Sequence, residues 1–413
     1  MSTLLITGRI PDLSIAELES LYGGSSITRL GDHALVDSDV DFARLGGSIK
    51  SAEYIATVDS TNAQKVFDFC RKAIPDYLEQ VPEGKIKLGV SLYGLTMPVQ
   101  RLNANVLSLK KVIKQTGRSV RAVPNTDPAL SSAQTYHNAL TSDVGIELAC
   151  IAHDGKTYIG RVTHVQDIDS YTIRDRNRPK RDAFVGMLPP KLAQTMINIA
   201  SGPVKRSNSS IETSSAASVA SEDSDVEKMS SKSQVVLDPF CGTGVILQEA
   251  ALMGYSVYGT DVSEKMVHFT RDNFNWATEK FKISVERQFE IADAISHTWR
   301  QPIDAVAGEG YLGQPLGGQV PSPEKLKQIM HDSQVVMRGF LKNIAPQLVS
   351  GTRLCVAIPA WHVAGKLHEL DLASEIETLG YHWTPFTHVD GTRLMYSRDD
   401  QTTHRHLLAI EKS

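Results

Sequence analysis

The 413 residues predict an α/β protein. A doubly wound, largely parallel sheet with an antiparallel end occupies the C-terminal half, and a smaller α+β region precedes it. Two observations carry this reading. From residue 234 onward, short apolar runs alternate with segments of helical periodicity, the pattern of repeated strand–helix units. At their start, Val235-Val236-Leu237-Asp238-Pro239-Phe240-Cys241-Gly242-Thr243-Gly244 joins an apolar run to a glycine turn, and Gly259-Thr260-Asp261 follows. Strand, glycine turn, helix and second strand closing on an acid form a nucleoside crevice at the carboxyl edge of a parallel sheet.

Taken in order, residues 1–60 read as a strand (Leu4 to Gly8), a helix (Ser14 to Tyr22), and strands at Ala34–Val36 and Ala52–Val58. Residues 61–170 continue with a helix (Ala63 to Ile74), a strand (Lys87 to Tyr93), a helix (Leu107 to Gln115), a strand (Ser119 to Val123) and a helix from Ser131 to Leu140. Two strands then flank Asp154-Gly155, a hairpin signal. Residues 171–200 combine a basic linker with a helix. In residues 201–233, twelve of 33 are serine and none is aromatic, too little apolar surface to offset ordering, so a disordered insertion is expected. Residues 234–413 carry strands near 234–238, 255–260, 286–291, 303–307 and 352–358, with helices near 244–253, 263–278 and 323–345. A strand pair near 393–397 and 405–411 ends the chain.

Composition sets outer limits. A net charge of −4 gives no global field for nucleic acid, so any such surface is local. Cys70, Cys150, Cys241 and Cys355 are scattered without C-x-x-C pairing, which argues against a zinc site or disulfide framework and suits a reducing compartment. No apolar stretch approaches membrane-spanning length. The chain reads as cytoplasmic.

The glycine turn lacks the Gly-Lys-Ser/Thr of a phosphate loop and the G-x-G-x-x-G of a dinucleotide fold. An acid just before the glycines suits a cationic ligand with an amino acid tail, and S-adenosylmethionine fits. Asp238, Phe240, Gly242, Thr243 and Gly244 would line that turn. Asp261, followed by Val262, would hold the ribose hydroxyls, and Asp293, followed by Ala294, the adenine amine. The next strand opens into Gly308-Glu309-Gly310-Tyr311-Leu312-Gly313, where Pro315, Gly317, Gly318 and Pro321 preclude a helix. One acid and one aromatic there suit transfer to an amine on a planar base: Tyr311 stacks, and Glu309 orients the amine. Two basic runs are candidates for phosphate contact: Lys110, Lys114, Arg118 and Arg121, and Arg174, Arg176, Arg178 and Lys180. His404 and His406 alternate on a terminal strand without a third ligand, so no metal is expected.

Asp182 to Gln194 together with Leu237 to Gly244 resemble the THUMP-associated tRNA guanine-N2 methyltransferases, and Leu45 to Lys50 and Gln166 to Ile168 fit the same family. The resemblance spans nearly the whole chain outside the serine insertion. It implies a Rossmann-like class I methyltransferase domain at 234–413, a ferredoxin-like segment at 1–60 and a THUMP-like RNA-binding domain at 61–170. It also implies S-adenosylmethionine as methyl donor and guanosine at position ten of tRNA as acceptor. One departure stands out: the family's Asp-Pro-Pro-Tyr loop is Gly308-Glu309-Gly310-Tyr311 here, with Tyr311 matching the tyrosine. An RNA-binding protein that keeps the fold without catalysis, and a DNA amino-methyltransferase, remain alternatives.

Overall fold

The computed structural model describes residues 1–182, 188–203, 233–300, 302–313, 321–398 and 401–413. The serine-rich stretch expected to be disordered, the Ala183–Met187 part of the family-like motif, and Pro315 to Gly318 lie almost wholly outside the described residues.

The front half is one eight-stranded sheet. In chain order it contains β1 (Thr3–Thr7), α1 (Pro11–Tyr22), β2 (Ile27–Leu30), β3 (His33–Val36), β4 (Ser48–Val58), α2 (Ala63–Leu78), β5 (Ile86–Tyr93), α3 (Val99–Gln115), β6 (Val120–Ala122), α4 (Ser132–His137), β7 (Gly145–His153) and β8 (Lys156–Val165). The strand order is β2-β3-β1-β4-β8-β7-β5-β6. Antiparallel pairing of β4 with β8 carries the sheet straight across residue 60. The two front regions read from sequence therefore share one ladder. The α3 helix starts eight residues before the expected Leu107, because Leu102 and Val106 extend the buried stripe of Leu109 and Ile113 back to Pro98.

Between the halves, α5 (Ile168–Arg176) replaces the expected basic linker: the Asp167 side chain accepts from the Ser170 amide and caps it. The α6 helix (Pro190–Ser201) follows, with proline at its first position. Leu192, Ala193, Met196, Ile197, Ile199 and Ala200 are all buried, and α6 packs on α1 on one side and on the second sheet on the other.

That second sheet contains β9 (Val235–Asp238), α7 (Val245–Leu252), β10 (Ser256–Asp261), α8 (Glu264–Phe281), β11 (Arg287–Ile291), β12 (Ala305–Glu309), α9 (Pro323–Ile344) and β13 (Arg353–Val363). It closes with β14 (Lys366–Glu369), β15 (Tyr381–Trp383), β16 (Met395–Tyr396) and β17 (Thr403–Lys412). The order is β11-β10-β9-β12-β13-β17-β15, with β14 on β13 and β16 on β17. The first five strands are parallel, and β17 inserts antiparallel beside β13. The order reverses between β9 and β12, which is where open α/β sheets bind ligands. Strands β14 and β15 were not anticipated; both are short and hang on longer neighbours.

Two apolar layers hold this sheet. One places Ile197, Ile246, Leu247 and Phe274 on one face, and the other places Ile329, Phe340, Leu341 and Trp361 on the opposite face. Each such fully buried side chain stabilises by roughly 1.5–3 kcal/mol, so the helices are pinned and the strand ends between them are fixed. Among the described residues, no helix is long and apolar enough to cross a membrane.

Candidate functional site

The crevice begins at the β9–α7 turn. Gly242 and Gly244 both have left-handed φ (50° and 84°), and Gly244 serves as the cap of α7. A Cβ at Gly244 would lie 3.1 Å from the Thr270 side chain, so the turn is shaped for glycine twice over. Asp261 at the end of β10 locks it: Oδ2 accepts from the Gly242 amide at 3.0 Å and Oδ1 from the Ser263 amide at 2.9 Å. Each oxygen keeps a lone pair for a diol. Burial raises the Asp261 pKa, while those two amides pull it back.

Asp293 lies just beyond β11, exposed, with Oδ1 accepting from the Ile295 amide at 3.1 Å. Val262 (70% exposed), just beyond β10, and Ile295 (44%), beyond β11, present apolar surface to solvent. Open apolar flanks, an available carboxylate and a Cβ-free turn fit a purine nucleoside.

Asp238 ends β9 at the switch point, buried, with Oδ1 accepting from the Phe240 amide at 3.1 Å. Burial first, and then the charges of Asp261 and Glu309, push its carboxyl well above the usual range. The Gly308 backbone lies so close that a Cβ there would sit 2.7 Å from Asp238 Oδ1. Gly308 therefore has to be glycine, and it cannot also carry an acid.

The acid is Glu309. The strand expected to stop at Ala307 runs on through Glu309, because β13 continues the parallel ladder and pairs Glu309 with Ala357. The ladder extends further, with the Gly310 amide bonding the Ala357 carbonyl at 2.9 Å. Gly310 lies against the Met337 sulfur, so a side chain there would have to displace the end of Met337. So the start of the glycine-rich segment is held in place rather than mobile. Glu309 Oε1 accepts from Nε of Arg405 on β17, and both side chains are nearly buried. Tyr311, two residues on, is 41% exposed.

Several sequence expectations are corrected. The Thr243 hydroxyl accepts from Arg178 at 3.4 Å. Ala294 is buried in the core on the α9 side. Arg178 is only 4% exposed and Arg174 is paired with the buried Glu249 at 2.9 Å, so neither guanidinium faces solvent for phosphate contact; both clamp α5 and its sequel onto the second sheet's domain. Arg118 donates to the carbonyls of Val81, Pro82 and Gly84, which ties it to a loop of its own module. Lys180 lies 3.6 Å from Asp272. Lys110 is half-buried, while Lys114, Arg121 and Arg176 are exposed. His406 is taken by Glu369 and the Thr392 carbonyl. Among the described residues, no three His, Cys, Asp or Glu side chains converge as a metal site. Arg405 was missed as a site residue, because only the β13–β17 register brings it to Glu309.

Residues 230–399 match the methyltransferase domain family. That match takes in the second sheet from β9 to β16. Residues 154–272 also match a DNA methylase family, but that match stops short of β12, which bears Glu309. The chain is similar to the tRNA (guanine(10)-N2)-dimethyltransferase of Methanothermobacter thermautotrophicus, 33% identical over 144 residues, covering 34% of this chain and 35% of the relative. The corresponding protein of Pyrococcus abyssi is 26% identical over 147 residues, 35% of this chain and 37% of its own length. The chain thus spans little more than a third of these curated relatives. The crystal structure of TrmN from Thermus thermophilus superposes over 100% of both chains with a TM-score of 0.50 at 15% identity, a likeness of fold. Over that third of its length, the chain is similar in sequence to proteins named tRNA (guanine(10)-N2)-dimethyltransferase.

Proposed function

We propose that this protein transfers a methyl group from S-adenosylmethionine to the exocyclic N2 amine of a guanosine in tRNA, position ten by its relatives, in the cytoplasm. The observation that carries the reading is the series of acids along one sheet edge, Asp238, Asp261, Asp293 and then Glu309, each at or just beyond the end of consecutive strands of the methyltransferase sheet. The first three suit a methyl donor, and the fourth suits its acceptor.

Bound in this crevice, S-adenosylmethionine supplies a methyl group on a sulfonium with a neutral thioether as leaving group. The chain's own contribution is placement. Asp261 receives the ribose hydroxyls and Asp293 the adenine amine, between Val262 and Ile295. Gly242 and Gly244 let the backbone approach the amino acid tail, beside Asp238 and Phe240. Arg405 holds Glu309 through Oε1, leaving Oε2 to accept a hydrogen bond from the guanine amine and aim its lone pair at the methyl. Tyr311 stacks on the base. Lys110, Lys114, Arg121 and Arg176 are the candidates for contact with tRNA phosphates, and the front-half sheet would dock the RNA.

The test is labelling of tRNA transcript with purified protein and radiolabelled S-adenosylmethionine, followed by mass spectrometry of the nucleosides. N2-methylguanosine or its dimethyl form is expected. Label on DNA alone, in a side-by-side assay, would give the DNA amino-methyltransferase reading instead. Cofactor binding without label on either would leave an RNA-binding protein that keeps the fold.

A further inference from the structure

A cavity of about 560 Å³ opens where the front sheet, α5, α6 and β16 meet. It is separate from the strand-end crevice: Asp238, Asp261, Asp293 and Glu309 are absent from its wall. Arg9, Arg176, Lys191 and Arg398 line it, against one carboxylate, Asp175. Arg9, Arg176 and Lys191 form no ion pair among the described residues. Arg398 is oriented by donating Nε and Nη2 to the Tyr396 hydroxyl, at 3.1 and 3.0 Å. A cavity with this excess of cations is suited to an anion.

The wall is rigid. Buried Glu17 accepts from the amides of Gly46 and Gly47, each at 2.8 Å, and from Asn198 on α6 at 2.7 Å. Gly46 abuts the Lys191 carbonyl so closely that no Cβ would fit, which presses the first turn of α6 into the cavity wall. Binding here would cost little ordering. The first turn of α6 adds the positive end of its dipole to the same space. The Lys191 ammonium lies 5.1 Å from the centre of the Tyr171 ring, and burial, only partly offset by Glu17, pushes its pKa down to about 8.

We propose that this cavity binds phosphodiester groups of the RNA strand whose base enters the methyltransferase crevice; this rests on the RNA-substrate reading above. Sheet geometry links the two places. Tyr396 on β16 pairs with Arg405 on β17, Arg405 with Pro359 on β13, and Glu309 on β12 with Ala357 on β13, so the cavity's Tyr396 wall is three strand spacings across from Glu309 and two residues along. At ~4.8 Å per spacing and ~3.3 Å per residue that is ~16 Å. A single strand can present a base at Glu309 while the phosphates of a nearby nucleotide sit among Arg9, Lys191 and Arg398.

The experiment measures the affinity of the full chain for unmodified tRNA transcript across a salt series, for wild type and for Lys191→Gln, Arg9→Gln and Arg398→Gln. Each variant should bind more weakly and show a log K against log salt slope shallower by about one ion. Affinity for S-adenosylhomocysteine should stay within twofold, which confirms an intact fold. Wild-type slopes in all three variants, with methylation retained, overturn the cavity assignment and leave the RNA-methyltransferase reading standing. Wild-type protein that binds no RNA overturns both. A thermal-shift arm with AMP and inorganic phosphate distinguishes the other source of the same anion: stabilisation by AMP lost in Lys191→Gln, with RNA slopes unchanged, would assign the cavity to a free nucleotide and overturn the proposal.

Discussion

Arg405 on β17 donates Nε to Oε1 of Glu309 on β12, two strands away, and the side chains are only 9% and 13% exposed. The pair turns a strand-end carboxylate into a fixed acceptor with one oxygen left over. Replacing Glu309 with Ala should lower methyl transfer to tRNA by ~10²–10⁴-fold, the usual weight of a positioned polar group in a transfer step. S-adenosylhomocysteine affinity by calorimetry should change little. Undiminished transfer would remove Glu309 from the mechanism. Arg405→Met should cost ~3 kcal/mol in denaturant unfolding, because it strands a nearly buried carboxylate, and should lower transfer as well.

Asp261 binds the glycine turn through Gly242 and caps the next helix through Ser263. Asp261→Ala should weaken S-adenosylhomocysteine by ~10–100-fold, equivalent to one or two charge-assisted hydrogen bonds. Asp261→Asn should fall between, since its amide retains one acceptor oxygen. Equal affinities in calorimetry would move the ribose contact elsewhere.

Gly244 and Gly117 have nearly the same left-handed φ (84° and 85°), but a Cβ on Gly244 meets Thr270 whereas one on Gly117 meets nothing within 4 Å. Alanine at 117 should cost about 1 kcal/mol of backbone strain. Alanine at 244 should cost more and should also weaken the cofactor. Equal unfolding midpoints for the two variants would show that the turn has slack.

Glu249 is buried with Arg174 as its partner, and burial raises its pKa to about 7 despite the guanidinium. A carboxyl raised on folding adds stability at low pH that is lost as pH climbs through about 7. Arg174→Met removes the compensating cation and raises the Glu249 pKa further. The variant's stability deficit in urea should therefore grow from pH 5 to pH 8. Its RNA affinity and salt slope should match wild type, because Arg174 faces the protein.

Lys191 shows the opposite sign. Burial lowers its pKa to about 8, so the unfolded chain holds the proton more tightly and stability rises with pH between about 8 and 10.5. Below that window the penalty is fully present. Lys191→Met should therefore be more stable than wild type at pH 7, by on the order of 1–3 kcal/mol, and the gain should shrink as pH rises through the window. No gain at neutral pH would mean that the ammonium is solvated after all.

The strand and helix series was legible because β9 to β13 alternate with helices, each strand a short apolar run and each acid at its end. Asp238, Asp261 and Asp293 fell where strand ends predicted them. Three members of the basic runs turn to the protein, since charge along a chain says nothing about which side faces water: Arg174 and Arg178 tie α5 and its sequel to the second sheet's domain, and Arg118 braces its own loop. From sequence Glu309 falls in a loop because its glycine neighbours look like breakers, whereas in the fold Gly308 lies against Asp238 and Gly310 against Met337 as the strand runs on.

Local order thus settled the class of fold, the glycine turn and the acids along one sheet edge, because apolar periodicity and strand-end residues depend only on near neighbours in the chain. Partnerships across long separations were left to tertiary structure: Arg405 with Glu309, Glu17 with Asn198, and the meeting of Arg9, Lys191 and Arg398 around one cavity. The physical reason is that ladder register and interdomain packing set which side chains meet. Neither leaves a periodic trace in the sequence.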